Sequence, residues 1–216
     1  MPVKVKICGI RTLEEAVVAS MCAADFLGFN FWPRSPRYVN PEVAAEIVRQ
    51  LPTSLLKVGV FVNEEVGRVR EIAERLKLDA VQLHGDESPD YCGALEPISV
   101  IKAFRVGEGF DPASIASYPL SLALLDSSVA GSYGGTGQTF DWSAAIEAKA
   151  YAEVMLAGGL NALTVRDAII KVRPAAIDVC SGVESAPGLK DLDKIRSFLG
   201  VVARTNQILT DQGKGK

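Results

Sequence analysis

The chain has 216 residues, of which 48 % are hydrophobic, and a formal net charge of −3. That length allows one domain or two, and the slight negative charge without a basic run argues against nucleic acid as a partner. No apolar run approaches the ~18 residues that span a bilayer, so we expect no membrane segment. The chain shows no secretory signal, and its four cysteines form no CxxC pair; both features favour a reducing, cytoplasmic setting.

Eight short apolar runs recur along the chain, and a helical or polar segment follows each of them. The runs are rich in Val, Ile, Leu and Phe and are mostly continuous, which is typical of parallel strands that are buried on both faces. They cover residues 3–9, 25–31, 56–61, 79–85, 99–105, 122–127, 153–159 and 175–182.

Capping residues mark several helices between these runs. Thr12 and Glu15 form the pattern of a capping box, and Asn40 before Pro41 predicts the start of a second helix. We interpret Asn63 as the cap of a third helix. The other expected helices are short ones after the fourth, fifth and sixth strands and longer ones at 161–174 and 191–204.

Eight β-then-α units in one chain of this length predict a single (β/α)₈ barrel. The alternation also fits an open, doubly wound sheet, but eight strands with no second-domain linker favour the closed barrel. We expect the barrel domain to cover residues 1–205. The polar segment 206–216 is expected to form a frayed C-terminal tail.

Reactive side chains gather at the predicted C-terminal ends of the strands, where the active sites of such barrels form. The first strand ends at Cys8, the sixth at Asp126 and the eighth at Asp178. Across the barrel mouth, Cys8 and Asp126 suit a base and an acid in an isomerisation. The alternatives are a small inert core cysteine and an aspartate that serves as a cap or in a salt bridge.

Glycine clusters follow the last three predicted strands. Gly158 and Gly159 after the seventh strand, and Ser181 and Gly182 after the eighth, leave backbone N–H groups open to a phosphate. The cluster at 131–137 lacks the lysine of a P-loop and the position of a dinucleotide fingerprint. A phosphate-contacting lid and a plain surface loop both stay open for it.

His84 is the only histidine of the chain. We interpret it as a hydrogen-bonded, supporting residue, because no serine lies in a nucleophile-elbow sequence near a strand end. One histidine, scattered carboxylates and unpaired cysteines also argue against a metal site.

An ordered set of motifs resembles the phosphoribosylanthranilate isomerases of tryptophan biosynthesis. The motifs are KICGI, FWPRSPR, GVFVN, QLHGDE, LLDS with GGTG, LAGGL, and DVCSGVE followed by PGLKD. The resemblance covers nearly the whole chain and implies a (β/α)₈ barrel that needs no cofactor. The implied reaction is an Amadori rearrangement of N-(5-phosphoribosyl)anthranilate to 1-(2-carboxyphenylamino)-1-deoxyribulose 5-phosphate.

The resemblance also implies catalytic roles for two residues. Asp126 is then the general acid that protonates the furanose ring oxygen and opens the ring to a Schiff base. Cys8 is the general base that removes the C2′ proton. A thiol is a poor base until it ionises, so we expect help from a nearby lysine, Lys4 or Lys6.

Substrate-binding roles follow from the same resemblance. Arg37 in the FWPRSPR motif is expected to pair with the anthranilate carboxylate, which suits a planar guanidinium. The two glycine loops, 158–159 and 181–182, are expected to hold the phosphate, and Asp178 is expected near the substrate with its role open. The resemblance predicts serine where Cys180 stands, and cysteine is the weaker hydrogen-bonding group.

Two rival functions stay open at this point. A phosphate-binding barrel isomerase of histidine biosynthesis acts on an aminoaldose by a similar mechanism, but such enzymes typically have an aspartate at the position of Cys8. An enzyme of broad specificity would accept both substrates. A non-catalytic barrel that binds a phosphorylated metabolite would not need both Cys8 and Asp126. The oligomeric state also stays open, because both a monomer and a homodimer fit the sequence.

Overall fold

Eight parallel strands close into a barrel in the order in which they occur in the chain, which confirms the predicted (β/α)₈ fold. The computed structural model describes residues 1–127 and 142–214, so the glycine cluster at 131–137 lies outside the described residues. The strands are β1 (Lys4–Cys8), β2 (Phe26–Asn30), β3 (Leu56–Phe61), β4 (Ala80–Leu83), β5 (Ser99–Val106), β6 (Leu122–Ser127), β7 (Val154–Leu156) and β8 (Ala176–Val179).

Helices of very different length connect the strands. Those after β4 and β6 are short, and a single 3₁₀ segment, Pro112–Ser117, follows β5, as the weak helical signals there predict. None of the described helices has both the length and the apolar character needed to cross a membrane. The α-helices are α1 (Leu13–Met21), α2 (Pro41–Val48), α3 (Val66–Leu76), α4 (Pro89–Gly93), α5 (Ser143–Ala148), α6 (Val165–Val172) and α7 (Leu192–Lys214).

Two of the three predicted helix caps are confirmed, and the third is wrong. Thr12 and Glu15 form the reciprocal capping box of α1, and the Asn40 side chain caps α2. The residue that precedes α3 is Glu65, and its side chain makes no capping hydrogen bond. Asn63 has a left-handed φ of 50° and accepts a hydrogen bond from the Asp86 N–H at 2.7 Å. Its amide therefore joins two loops rather than starting a helix.

The C-terminal segment continues α7 rather than forming a separate tail in the part that the structure describes. This helix runs from Leu192 to Lys214. The Asn206 amide accepts a hydrogen bond from the Val3 N–H at 3.0 Å and donates to the Val3 carbonyl oxygen at 2.9 Å. The last helix is thus tied to the start of the first strand.

A short antiparallel pair of strands that the sequence did not predict follows β8. A 3₁₀ turn, Ser181–Val183, leads into β9 (Glu184–Ala186), which pairs with β10 (Leu189–Lys190). The side chains of Glu184 and Lys190 are buried, and they lie beside the barrel mouth. This pair therefore adds two charged groups to the end of the barrel where the predicted site lies.

Alternation along β1 shows how the strands serve two cores. Val5 and Ile7 pack in the layer between strands and helices, whereas Lys6 and Cys8 face the barrel interior. The interior is apolar at the N-terminal end, where its core includes Phe26. Buried polar side chains replace apolar ones towards the C-terminal ends of the strands. The barrel interior is therefore apolar at its N-terminal end and polar at the C-terminal end, where the site lies.

Candidate active site

Cys8 ends β1 with its thiol in a space that glycine leaves open. Gly28 lies opposite Cys8 on β2, and a Cβ at Gly28 would lie 3.0 Å from both the Cys8 Sγ and the Lys6 Nζ. Lys6 is fully buried, and its Nζ lies 3.0 Å from the Asp178 Oδ1 on β8. A buried ammonium group thus lies directly beneath the thiol. Lys4 lies further down β1, with its Nζ 5.9 Å from the centre of the Phe26 ring.

The pKa of Cys8 lies well below that of an ordinary thiol. The main cause is a hydrogen bond that the Cys180 thiol donates to the Cys8 sulfur. Burial opposes the shift, while the positive charges of Lys6 and Lys190 reinforce it. The pKa of Cys180 is raised well above its ordinary value, because Cys180 supplies that hydrogen bond and lies out of water. Cys8 is therefore the thiol of the pair that ionises first, and the thiolate is the form that a base requires.

The buried ammonium group of Lys6 interacts with two acidic groups, Asp178 and Cys8. Burial raises the pKa of Asp178 to about 6; the charge of Lys6 opposes this rise, and the negative charge of an ionised Cys8 adds to it. Burial lowers the pKa of Lys6, but Asp178 and Cys8 outweigh it, so the pKa of Lys6 is raised overall. Lys6 stays charged, and Asp178 is its counter-ion. Asp178 lines the pocket at this end of the barrel.

Asp126 is buried near the end of β6, and the chain's histidine lies beside it. The His84 Nε2 is 3.5 Å from the Asp126 Oδ2, and the His84 Nδ1 is 2.8 Å from the Gln82 Nε2. Because the Gln82 amide donates to Nδ1, the neutral ring carries its hydrogen on Nε2, towards Asp126. His84 thus lies beside the Asp126 carboxyl group.

Arg37 reaches the barrel mouth from the loop after β2. Its Nε and Nη2 donate to the two carboxylate oxygens of Glu184, each at 2.9 Å, and the Lys190 Nζ lies 3.0 Å from the Glu184 Oε1. Within the described ranges the Arg37 Nη1 has no hydrogen-bond acceptor, so the outer edge of the guanidinium remains open to a ligand. Arg34, in the same loop, is exposed and does not line the pocket.

The loops after β7 and β8 pack directly against each other. A Cβ at Gly182 would overlap the carbonyl oxygen of Leu160, so only glycine fits there. Gly158 and Gly159 have positive φ angles of 79° and 64°, which glycine adopts without strain. In residues 1–127 and 142–214, their backbone N–H groups have no hydrogen-bond acceptor. These N–H groups are therefore available to an anion.

One pocket at the C-terminal end of the barrel gathers the predicted site residues. Gly182 does not line it and lies immediately behind Ser181. Sequence reasoning placed Gln82 at the end of the fourth strand without giving it a role, and it missed Glu184 and Lys190. These residues lie in the QLHGDE, DVCSGVE and PGLKD motifs, but nothing in the motifs identifies the hydrogen-bond partner of each residue. The predicted residues that line the pocket are Cys8, Arg37, Asp126, Gly158, Gly159, Asp178 and Ser181.

Comparison with known proteins identifies the family to which this arrangement belongs. The family model described as N-(5'phosphoribosyl)anthranilate (PRA) isomerase matches residues 5–201. The chain belongs to this family. The match covers β2 to β8, all of β1 except Lys4, and the loops that carry the site, so the resemblance inferred from the motifs is confirmed.

Individual members of the phosphoribosylanthranilate isomerase family match over almost their full length. The N-(5'-phosphoribosyl)anthranilate isomerase of Citrifermentans bemidjiense is 50 % identical over 196 residues, which are 91 % of this chain and 95 % of the relative. The crystal structure of the enzyme from Thermotoga maritima is 42 % identical, with a TM-score of 0.86 over 94 % of this chain and 99 % of that one. A further structure of such an isomerase, 42 % identical with a TM-score of 0.84 and the same coverage, holds reduced 1-(o-carboxyphenylamino)-1-deoxyribulose 5-phosphate.

Proposed function

We propose that this chain converts N-(5-phosphoribosyl)anthranilate to 1-(2-carboxyphenylamino)-1-deoxyribulose 5-phosphate, with Cys8 as general base and Asp126 as general acid. The observation that carries the assignment of roles is their shared pocket. A thiol of lowered pKa on β1 and a buried carboxyl group on β6 line one cavity, together with the glycine loops and Arg37. The reaction is the isomerase step of its family in tryptophan biosynthesis.

The first step opens the sugar ring. Asp126 donates a proton to the furanose oxygen while the bond from that oxygen to C1′ breaks, and the lone pair of the anthranilate nitrogen forms the iminium double bond. The transfer leaves Asp126 as a carboxylate. The His84 Nε2–H, 3.5 Å from the Asp126 Oδ2, is placed to stabilise that charge.

The second step moves a proton from C2′. The iminium group makes this proton acidic, so the Cys8 thiolate is a strong enough base to remove it and leave an enolamine. When Cys8 becomes a neutral thiol, Lys6 keeps Asp178 as its counter-ion at 3.0 Å. The buried ammonium group therefore stays paired before and after the transfer. Tautomerisation of the enolamine gives the keto product.

The two anionic ends of the substrate match two separate parts of the pocket. The N–H groups of Gly158 and Gly159, with the turn at Ser181 and Gly182 packed behind them, suit a phosphate. The open edge of Arg37 suits the anthranilate carboxylate, since a guanidinium can donate to a different carboxylate from each of two edges. Inorganic phosphate should accordingly compete with the substrate.

Complementation of a bacterial tryptophan auxotroph that lacks this isomerase tests the proposal. The chain should restore growth without tryptophan, and so should Cys22→Ser, which changes a thiol at the end of α1 outside the pocket. Cys8→Ala and Asp126→Asn should fail to restore growth at equal soluble protein levels. Failure of the unaltered chain would contradict the reaction, whereas growth of either site variant would contradict only the assigned roles.

We also propose that the protein acts in a reducing, cytosolic compartment. All four cysteines carry free thiols, and the proposed base must be one of them. The proposed ligand is a small phosphorylated molecule. All residues of the proposed site come from one chain, so the proposal is the same for a monomer and for a homodimer.

A further inference from the structure

Two of the four thiols lie side by side at the end of the barrel. β1 and β8 pair in parallel with Ile7 opposite Val179. Cys8, the last residue of β1, and Cys180, the first residue after β8, directly follow that pair. Both line the pocket. Adjacent strands lie ~4.8 Å apart, within the ~4.4–6.8 Å between Cα atoms that a disulfide spans.

The surroundings of the pair favour reaction between its members. A hydrogen bond from Cys180 lowers the pKa of Cys8, which requires the two sulfurs to lie within reach of each other; the Cys180 Sγ also lies 3.8 Å from the Glu184 Oε1. The Lys190 Nζ lies 3.6 Å from the Cys180 Sγ, and Lys6 lies beneath Cys8. Positive charge on both sides keeps one member of the pair ionised, which is the reactive form of a thiol.

We propose that Cys8 and Cys180 form a reversible disulfide when the protein meets a peroxide, and that this bond switches the isomerase off. The second half rests on the proposed function, since it requires Cys8 as the base. The disulfide itself depends only on the geometry of the two thiols. The family resemblance predicts serine at position 180, so this modification site belongs to this chain and to relatives with the same cysteine.

The chemistry balances with hydrogen peroxide as the oxidant. The Cys8 thiolate attacks one peroxide oxygen, the O–O bond breaks, and the departing hydroxide takes a proton to become water; Cys8 is then a sulfenic acid. The Cys180 sulfur attacks the Cys8 sulfur, the S–O bond breaks, and the second hydroxide leaves with the Cys180 proton as water. Two thiols lose two electrons and two protons, and one peroxide is reduced to two waters.

The other two cysteines provide internal controls. Cys92 is buried in α4, and burial raises the pKa of its thiol, which makes it a poor target for peroxide. Cys22 is half-buried at the end of α1 and does not line the pocket. A Cys22→Ser variant therefore removes a thiol and leaves the proposed pair intact.

Stoichiometric hydrogen peroxide followed by intact-mass measurement, peptide mapping and an isomerase assay tests the inference. The unaltered chain and Cys22→Ser should each lose the mass of two hydrogens and yield a cross-linked peptide pair that contains Cys8 and Cys180. Activity should fall in proportion to the cross-link and return with dithiothreitol. Cys180→Ser, normalised to its own untreated rate, should instead give a Cys8 sulfenic acid that dimedone traps, and excess peroxide should inactivate it irreversibly.

Two results would overturn the inference, and they point to different parts of it. Oxygen adducts on Cys8 with Cys180 still open to alkylation would exclude the disulfide and leave the proposed function untouched. A complete cross-link with unchanged activity would overturn the switch, and it would also remove Cys8 from its role as base.

Discussion

Lys6 provides the buried charge on which the residues around Cys8 depend. It is fully buried, 3.0 Å from the Asp178 carboxylate, and it stabilises the Cys8 thiolate above it. Removing Lys6 alone would leave Asp178 as an unpaired buried acid, and breaking such a pair destabilises proteins by about 3–5 kcal/mol. Any test of Lys6 should therefore neutralise Asp178 as well.

Paired substitutions should move the pKa of Cys8 in opposite directions. Asp178→Asn removes a neighbouring negative charge, so it should lower the pKa of Cys8 and let the thiolate persist to lower pH. The double variant Lys6→Met with Asp178→Asn also removes the cation, so it should raise the pKa of Cys8 again. The measurement is the pH dependence of the rate at which iodoacetamide alkylates Cys8, with Cys22 in the same sample as reference. Identical profiles for the two variants would show that Lys6 does not stabilise the thiolate.

Arg37 and Glu184 should contribute to substrate binding by different amounts. Arg37→Ala should weaken binding by about 1.5–3 kcal/mol, the scale of a hydrogen bond to a charged group, and should raise KM more than it lowers kcat. Arg37→Lys should recover only part, because an ammonium group lacks the planar fork. Glu184→Gln should raise KM less than Arg37→Ala, since it loosens the guanidinium without removing it.

Steady-state kinetics with N-(5-phosphoribosyl)anthranilate separate these cases. Arg34→Ala is the matched control, because Arg34 lies in the same loop but is exposed and outside the pocket. A KM for Arg37→Ala within about twofold of that of the unaltered chain would assign Arg37 to the surface charges of the loop instead.

At the scale of elements, the loops after β7 and β8 form one structural unit. The carbonyl oxygen of Leu160 occupies the space that a side chain at residue 182 would need, and the 3₁₀ turn at Ser181–Val183 leads directly into β9. The same turn precedes Glu184, which holds Arg37. The same short segment therefore links the phosphate end of the proposed site to its carboxylate end.

Alanine at two glycines should have opposite effects on stability. Gly182→Ala forces a Cβ into the Leu160 backbone, so it should destabilise the fold by about 1–3 kcal/mol, typical of overpacking, and weaken phosphate competition. Gly67 lies in an exposed part of α3, where a Cβ would make only an ordinary contact, 3.8 Å from the Glu65 Oε1, so Gly67→Ala should stabilise by about 0.5–1 kcal/mol. Urea unfolding of both variants provides the measurement. Equal midpoints for Gly182→Ala and the unaltered chain would contradict the packing argument.

The sequence predicts some elements of this fold better than others, for physical reasons. Strands and the inward residues Cys8 and Asp126 follow from local apolar runs and from the rule that barrel sites form at strand ends. Asn63 misleads because an asparagine amide joins loops as readily as it caps helices. The polar composition of this end of the chain gives no sign that α7 continues to Lys214 or that Asn206 bonds to Val3.

The partners of the charged residues could not be predicted in the same way. Arg37 and Glu184 are 147 positions apart in the chain, and only closure of the barrel brings them within 2.9 Å. Local patterns identify which residue types could carry charge at a strand end. They carry no information about which of those charges neutralise one another.

At the scale of the whole molecule, the contact between the first strand and the last helix lies at one end of the barrel and the proposed site at the other. Asn206 joins α7 to Val3 at the N-terminal end of the strands, whereas the proposed site occupies the C-terminal end. The interior between them is an apolar core that includes Ile101 and Met155. Stability can therefore change at one end without rearranging the other.

Asn206→Ala should lower stability and leave catalysis unchanged. It removes two hydrogen bonds to Val3, each with a net contribution of about 0.5–1.5 kcal/mol, and each kcal/mol lowers Tm by about 2–4 °C in a chain of this size. Gln207→Ala is the control, because that exposed side chain bonds only to Asp211 within the same helix. Thermal unfolding and kcat/KM at 25 °C should be measured on the same samples. A lower kcat/KM for Asn206→Ala would show that the two ends are coupled.

The most direct test of the central claim follows the loss of phosphoribosylanthranilate fluorescence with purified protein, Cys8→Ser and Asp126→Asn side by side. We expect the unaltered chain to consume the substrate and each variant to lose about 10²–10⁴-fold in kcat with a nearly unchanged KM, because each removes a proton-transferring group and little binding. Circular dichroism spectra that match the unaltered chain would exclude misfolding as the cause. Turnover by either variant at the rate of the unaltered chain would contradict the proposed mechanism.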